Sequence, residues 1–223
     1  MKKLYLENIT LVCMTSVLIP ESIKALQFSS KDIEFEKIKF ISDKKPQNLP
    51  KDFIFEETSP INNIDDWNHR VVFELGDYID TDFIVLIHDD GFIVNSKSWR
   101  EEFLKYDYIG APWDHKHLFD EFGNIVRVGN SVSLRSKKLL SIPKQHSMPW
   151  IKHDGNFNED TQICVWNRKL FTDNGVKFAP LDVAKYFSHE TYIEELEGIE
   201  PFCFHNFSGR NIIYKNIIDN YKP

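Results

Sequence analysis

The sequence predicts an α/β domain, on three observations. Short apolar runs alternate with amphipathic segments along the chain. Two of those runs, residues 9–14 (ITLVCM) and 83–87 (FIVLI), are continuously apolar, the pattern of a strand buried on both faces. No repeat, low-complexity tract or long linker breaks the pattern, and 223 residues suit one domain, 1–223, with a core at about 9–207.

The elements follow in order. Residues 9–14 form the first strand and 18–28 a helix, with strands at 37–42 and 53–56. Residues 63–79 are the clearest helix: Asn63 caps it, Asp65 and Asp66 favour its first turn, and Ile64, Trp67, Val71, Leu75 and Tyr78 share one face. Strand 83–87 ends abruptly in His88-Asp89-Asp90-Gly91. A short helix at 99–104 and a strand at 108–110 lead into Trp113. Two short strands, 126–128 and 132–134, flank Gly129-Asn130-Ser131, while residues 141–158 show little periodicity. Asn158 caps a helix from 159 to about 172, stopped by Asn174-Gly175. Short strands at 176–179 and 201–204 and a terminal helix at 211–221 complete the chain.

Composition narrows the function. With 27 Lys+Arg against 34 Asp+Glu the net charge is −7, which argues against a nucleic-acid partner. An anionic ligand would need its charge met locally. Cys13, Cys164 and Cys203 are far apart in apolar runs, which excludes a disulfide framework and fits buried thiols in a reducing compartment. No apolar stretch approaches the ~20 residues of a membrane span. Met1-Lys2-Lys3 resembles a signal-peptide start, but Glu7 and Asn8 intervene. The expected location is cytoplasmic, with peripheral membrane association left open.

Four features could carry chemistry. Asp89 and Asp90 lie at the carboxyl end of the most apolar strand, where ligands collect in open α/β sheets, and offer hard oxygens to Mg²⁺ or Mn²⁺; the same letters also write a tight turn. Glu159 and Asp160 begin a helix, as a general base or as dipole partners. Gly129-Asn130-Ser131 allows close backbone approach to a ligand, or makes a turn. His205 follows a short apolar strand, as a metal ligand or a structural residue. A zinc site from His115, His117, His146 and His153 with Asp154 lacks the usual helical spacing and ranks below the carboxylates.

Together the stretches LIHDDGFIVN, FLKYDYIGAPW, RVGNSVSLRSKKLL, NEDTQICVWNRKLF, VKFAPLDVAKYFSHE and PFCFHNF, between residues 86 and 207, resemble a bacterial family of glycosyltransferase-like domains of fold type A, a resemblance that covers the chain from about residue 9 to 207. The resemblance implies a nucleotide-sugar-binding domain with a mixed, mostly parallel central sheet flanked by helices. It implies metal-assisted, inverting transfer of a sugar from a nucleotide-sugar donor to a saccharide or other hydroxyl acceptor, in surface polysaccharide or glycoconjugate synthesis. Asp90 and His205 would hold the divalent cation, His88 standing where the family motif has its first acid. Asp89 would sit behind the ligand, and Thr15, Ser16 and Asp43 would meet the nucleoside. Asp160 or Glu159 would be the base. Gly129 and Asn130 would line the cleft, and Trp113 would stack on a sugar or anchor its loop. The alternatives are a nucleotidyltransferase, which would want a basic loop after the first strand, and a degenerate binding module.

Overall fold

The longest strand, β1 (Leu4–Met14), runs through the middle of a six-stranded sheet of order β3-β2-β1-β4-β6-β5. The computed structural model describes residues 3–114, 117–205 and 212–222; His115 and the start of the expected terminal helix at residue 211 lie outside them. β2 (Ile33–Ser42), β3 (Ile54–Glu57) and β4 (Phe83–Leu86) run parallel to β1. β6 (Val128–Ser136) runs antiparallel to both β4 and β5 (Tyr108–Pro112). The sheet is thus mixed and mostly parallel, as expected.

Alternation along the strands divides the core in two. Leu11, Cys13, Val85, Ile87, Val132 and Leu134 face one layer, with α1 (Ile19–Ser30) packed on it. Val12, Met14, Ile84 and Leu86 face the other, under α2 (Ile64–Phe73) and α3 (Lys137–Gln145). Both faces are covered, which is why the central strands read as unbroken apolar runs. All three cysteines are buried in these layers.

Several elements depart from expectation. Residues 128–136 form one continuous strand rather than two strands around a turn. Asn130 stays in line at a φ of 102°, a strained conformation for a side-chain-bearing residue. Helix α3 was not expected from its letters; Ser136 caps it, accepting from the Leu139 N–H at 3.1 Å, and it accommodates Pro143. The helix expected over 159–172 is three pieces: α4 (Glu159–Thr161), a π-helical turn (Gln162–Trp166) and α5 (Arg168–Asp173). Asn158 does not cap it by its side chain; Asn68 of α2 does, its Oδ1 accepting from the Glu159 N–H at 3.2 Å. The region expected as strand 176–179 contributes only a bridge from Phe178 to Tyr108. Beyond it come α6 (Leu181–Phe187), β7 (Ser188–His189), β8 (Cys203–Phe204) and α7 (Ile212–Asp219), with β7 and β8 pairing parallel in a small second sheet.

Candidate functional site

Beyond β4, the His88 N–H donates to the Gly91 carbonyl at 2.7 Å and closes a tight turn with Asp89 and Asp90 at its tip. The turn and the site are therefore the same object. A Cβ on Gly91 would lie 2.5 Å from Val132 Cγ2 and 2.7 Å from His205 Cδ2, so glycine is what lets His205 approach. The chain brings His205 there by pairing. The Phe204 N–H donates to the Phe92 carbonyl at 3.1 Å, and the His205 N–H to the His189 carbonyl at 2.8 Å.

His205 Nε2 lies 3.5 Å from Asp90 Oδ1, and its Nδ1 lies 3.1 Å from Glu190 Oε1. Residues distant in sequence thus converge as expected. Burial disfavours the charged imidazole, but its bonds to Asp90 and Glu190 carry its pKa up to about 10. Burial likewise opposes ionisation of Asp90, and His205 outweighs it, leaving that carboxyl below the usual range. The Val132 N–H donates to Asn130 Oδ1 at 2.8 Å, which turns the Asn130 amide NH₂ toward His205 Nδ1, 3.1 Å away. With the Nδ1 proton directed at Glu190, Asn130 packs against the ring rather than donating to it. The strained backbone at Asn130 therefore presents a side chain to this centre.

His88 turns inward. Its ring lies 4.9 Å from that of Trp67, whose indole N–H donates to the Met14 carbonyl at 2.8 Å. Burial, and then the charge of His205, push its pKa down to about 3, so it is neutral. Its Nε2 is buried with no hydrogen-bond partner among the described residues, although the His205 ring is only 5.4 Å away. Asp89 is half-buried; burial and the neighbouring Asp90 raise its pKa.

The expected acidic pair divides. Glu159 points into the core at 2% exposure, its Oε1 accepting from Arg135 Nη2 at 2.6 Å. That geometry removes it from the role of base. Asp160 is half-buried beside it and, among the described residues, accepts only from its neighbour, the Thr161 N–H, at 2.7 Å. Burial, then the charges of Glu159 and Glu190, push the Asp160 carboxyl up to about 8.

The cleft residues need correction as well. Trp113 is 4% exposed, so it is a core ring that anchors its loop and does not stack on a sugar. Gly129 does not approach a ligand; a Cβ there would meet Trp113 Cζ2 at 1.9 Å, so the glycine makes room for the indole. Gly129→Ala should cost about 1–3 kcal/mol or more by overpacking, read as a lower urea midpoint.

At the carboxyl ends of β1 and β2 the expected nucleoside residues do gather. Thr15 Oγ1 donates to the Val17 carbonyl at 2.9 Å, Ser16 Oγ accepts from the Ile61 N–H at 3.0 Å, and a bond from Ser16 holds the Asp43 carboxyl below its ordinary pKa. A cavity of about 500 Å³ opens beside them, lined by Asp43, Lys44, Thr58, Ser59 and Arg70 among others.

Sequence reasoning missed Glu190, Arg135, Trp67 and Asn68. Arg135 carried a signal: a cation on a strand otherwise written as a buried one must have an inward partner. Glu190 carried none, being one acid among many in an acidic segment.

A divalent cation can be tested against these side chains. Among the described residues no group of three or more His, Cys, Asp or Glu is arranged to hold a metal ion. Asp90 offers one ligand, and the Nε2 of His205 a second once a cation displaces the proton it holds toward Asp90, with Nδ1 oriented by Glu190 in the manner of metal-binding histidines. Two ligands fit Mg²⁺ or Mn²⁺ when substrate phosphates complete the shell, and the orphaned His88 Nε2 lies in the same wall.

This architecture is the glycosyltransferase fold of type A. A glycosyltransferase involved in glycosylation of the major capsid of PBCV-1 superposes with a TM-score of 0.56 at 10% identity, covering 96% of this chain and 99% of that one. The galactosyltransferase LgtC, in complex with donor and acceptor sugar analogues, gives 0.57 at 10% identity over 96% and 97%. The glycosyltransferase GlyE of Streptococcus pneumoniae gives 0.56 at 12% identity over 97% of this chain and 61% of that one. The chain belongs to the family described as protein of unknown function DUF5672, whose model matches residues 54–205. No curated protein matches it by sequence.

Proposed function

We propose that this protein transfers a sugar from a nucleotide-sugar donor to an acceptor hydroxyl. The observation that carries the reading is the convergence of Asp90 and His205 at the carboxyl end of the sheet, 3.5 Å apart, with Asp160 close enough to Glu190 for their charges to act on one another. Asp90 and His205 would hold a divalent cation, which supplies charge neutralisation for the diphosphate leaving group. Thr15, Ser16 and Asp43 would meet the nucleoside, Asp43 being the one of the three that lines the cavity of about 500 Å³. Asp160 takes the proton of the acceptor hydroxyl as it attacks the anomeric carbon. A base that activates the acceptor directly fits a single displacement with inversion. The likeness to LgtC and GlyE supports the fold of such an enzyme, and surface polysaccharide or glycoconjugate assembly is the setting that suits it.

One observation favours a binding-only module instead: the centre has two ligands and a histidine where an acid is expected. A calorimetric titration with UDP and GDP, with and without Mn²⁺, followed by assay of a nucleotide-sugar panel, separates the readings. Binding together with sugar release or transfer supports the enzyme; binding alone supports the module; no nucleotide binding removes both. The Asp90→Asn variant should fold normally and lose metal-dependent nucleotide affinity by at least about 10-fold, the lower end of what disturbing a metal's surroundings costs. Anomeric configuration of the product, read by NMR, tests inversion.

A further inference from the structure

A second cavity, of about 560 Å³, shares no lining residue with the one beside Asp43. Its walls are Asp114 and Arg127 on one side and Tyr192, Ile193, Glu194 and Glu195 on the other. Arg127 straps them together: its Nε donates to the Trp113 carbonyl at 3.0 Å and its Nη2 to Glu195 Oε1 at 3.1 Å. Ile193 is 5% exposed and pins the second wall, while Tyr192 beside it is 43% exposed.

Both walls lead straight to the centre. Tyr192 is two residues past Glu190, which contacts His205, and two residues span at most about 7 Å. Asp114 follows Trp113, whose ring packs on Gly129, the neighbour of Asn130. The Tyr192 wall is therefore joined through about 7 Å of backbone or less to Glu190, whose side chain contacts His205.

We propose that this cavity is the subsite for the acceptor, and that it takes a neutral or amino-bearing sugar residue rather than an anionic one. The proposal rests on the glycosyltransferase reading. The volume is that of an ordinary small-ligand site. Tyr192 supplies an amphipathic ring for the apolar face of a pyranose. Asp114 and Glu194 accept hydrogen bonds from hydroxyl or ammonium groups. A carboxylated sugar would meet three carboxylates and a single guanidinium already paired with Glu195, an arrangement of like charges that selects against it.

Saturation-transfer NMR on the full chain, with UDP and Mn²⁺ present, tests this with methyl glycosides of glucose, galactose, mannose, glucosamine and glucuronic acid. The expected result is transfer to at least one neutral or amino glycoside and about tenfold weaker binding of the glucuronide. Tyr192→Phe should keep the signal and Tyr192→Ala should lose it, circular dichroism confirming that both are folded. Equal binding to Tyr192→Ala, preference for the glucuronide, or no glycoside binding at all overturns the subsite. The UDP titration of the unaltered protein reports separately on the glycosyltransferase reading. If sugars bind at Tyr192 and nucleotides do not bind, that reading falls and the sugar site stands.

Discussion

Replacing Asp160 with Asn should lower turnover in the proposed sugar transfer by about 10²–10⁴-fold while leaving donor affinity nearly unchanged, the loss falling on kcat. The prediction follows from where the carboxyl sits. Its pKa, raised to about 8 by burial and then by Glu159, makes it a proton acceptor of useful strength near neutrality. In the unaltered protein, turnover should therefore rise with pH through about 8 as the base ionises. Stability moves the other way. The folded-state pKa lies above the unfolded value, so the group's contribution is fully present at low pH and is lost as pH rises through the folded value. Asn cannot ionise and escapes that loss. At pH 9 the variant should melt no lower than the parent while turning over far more slowly, as a calorimetric scan and a rate measurement would show. A variant with near-normal turnover would reduce Asp160 to a helix-dipole partner.

Arg135→Met should destabilise the fold by about 3–5 kcal/mol, because it leaves Glu159 buried without its partner. For a chain of this size that is roughly 6–20 °C in Tm. Arg135 and Glu159 are 0% and 3% exposed at their side chains, and they tie β6 to the start of α4. Arg135 Nη1 is buried without a hydrogen-bond partner among the described residues, so the pair is not satisfied throughout. Replacing both residues by Met should recover most of the lost stability, since an apolar pair of similar volume needs no compensation. The double-mutant cycle, read by urea denaturation, isolates the interaction. A single variant as stable as the parent would show that the ion pair contributes little.

How far the sequence carried the reading can be traced residue by residue. ITLVCM and FIVLI were legible because burial on both faces leaves no polar alternation to confuse with a helix. Asn63 was legible as a cap because capping is local chemistry, and its Oδ1 does accept from the Asp66 N–H at 2.9 Å. Asn158 has the same kind of letter and fails: Asp160 Oδ1 takes the Thr161 N–H that such a cap binds, and Asn68 of α2 takes the Glu159 N–H. Gly129-Asn130-Ser131 was misread for a similar reason. Tertiary packing of Trp113 holds a turn-like sequence inside a strand. Helix α3 was obscured by Pro143, and α6 lies in a stretch with no marked helical pattern. The meeting of Asp90 with His205 was expected only through the family resemblance, since no local pattern encodes it. The same resemblance could not separate Glu159 from Asp160, whose roles depend on which way each points.

The order of assembly along the chain has a kinetic consequence. All six strands of the main sheet precede Lys137, whereas His205 arrives only after β8 has paired beside β7. A chain emerging from its N-terminus can thus complete the scaffold before His205 joins the centre. The β7–β8 pairing spans only two residues in each strand, fifteen residues apart in sequence, so a loop must close before it forms. Local opening of that short pairing would release the His205 N–H from the His189 carbonyl and leave the main sheet and the Phe204–Phe92 bond standing. Hydrogen exchange at the His205 amide should then run ahead of exchange in β1 and at the Phe204 amide, so that the setting of this ring loosens in a molecule that is, by every measure of its main sheet, folded.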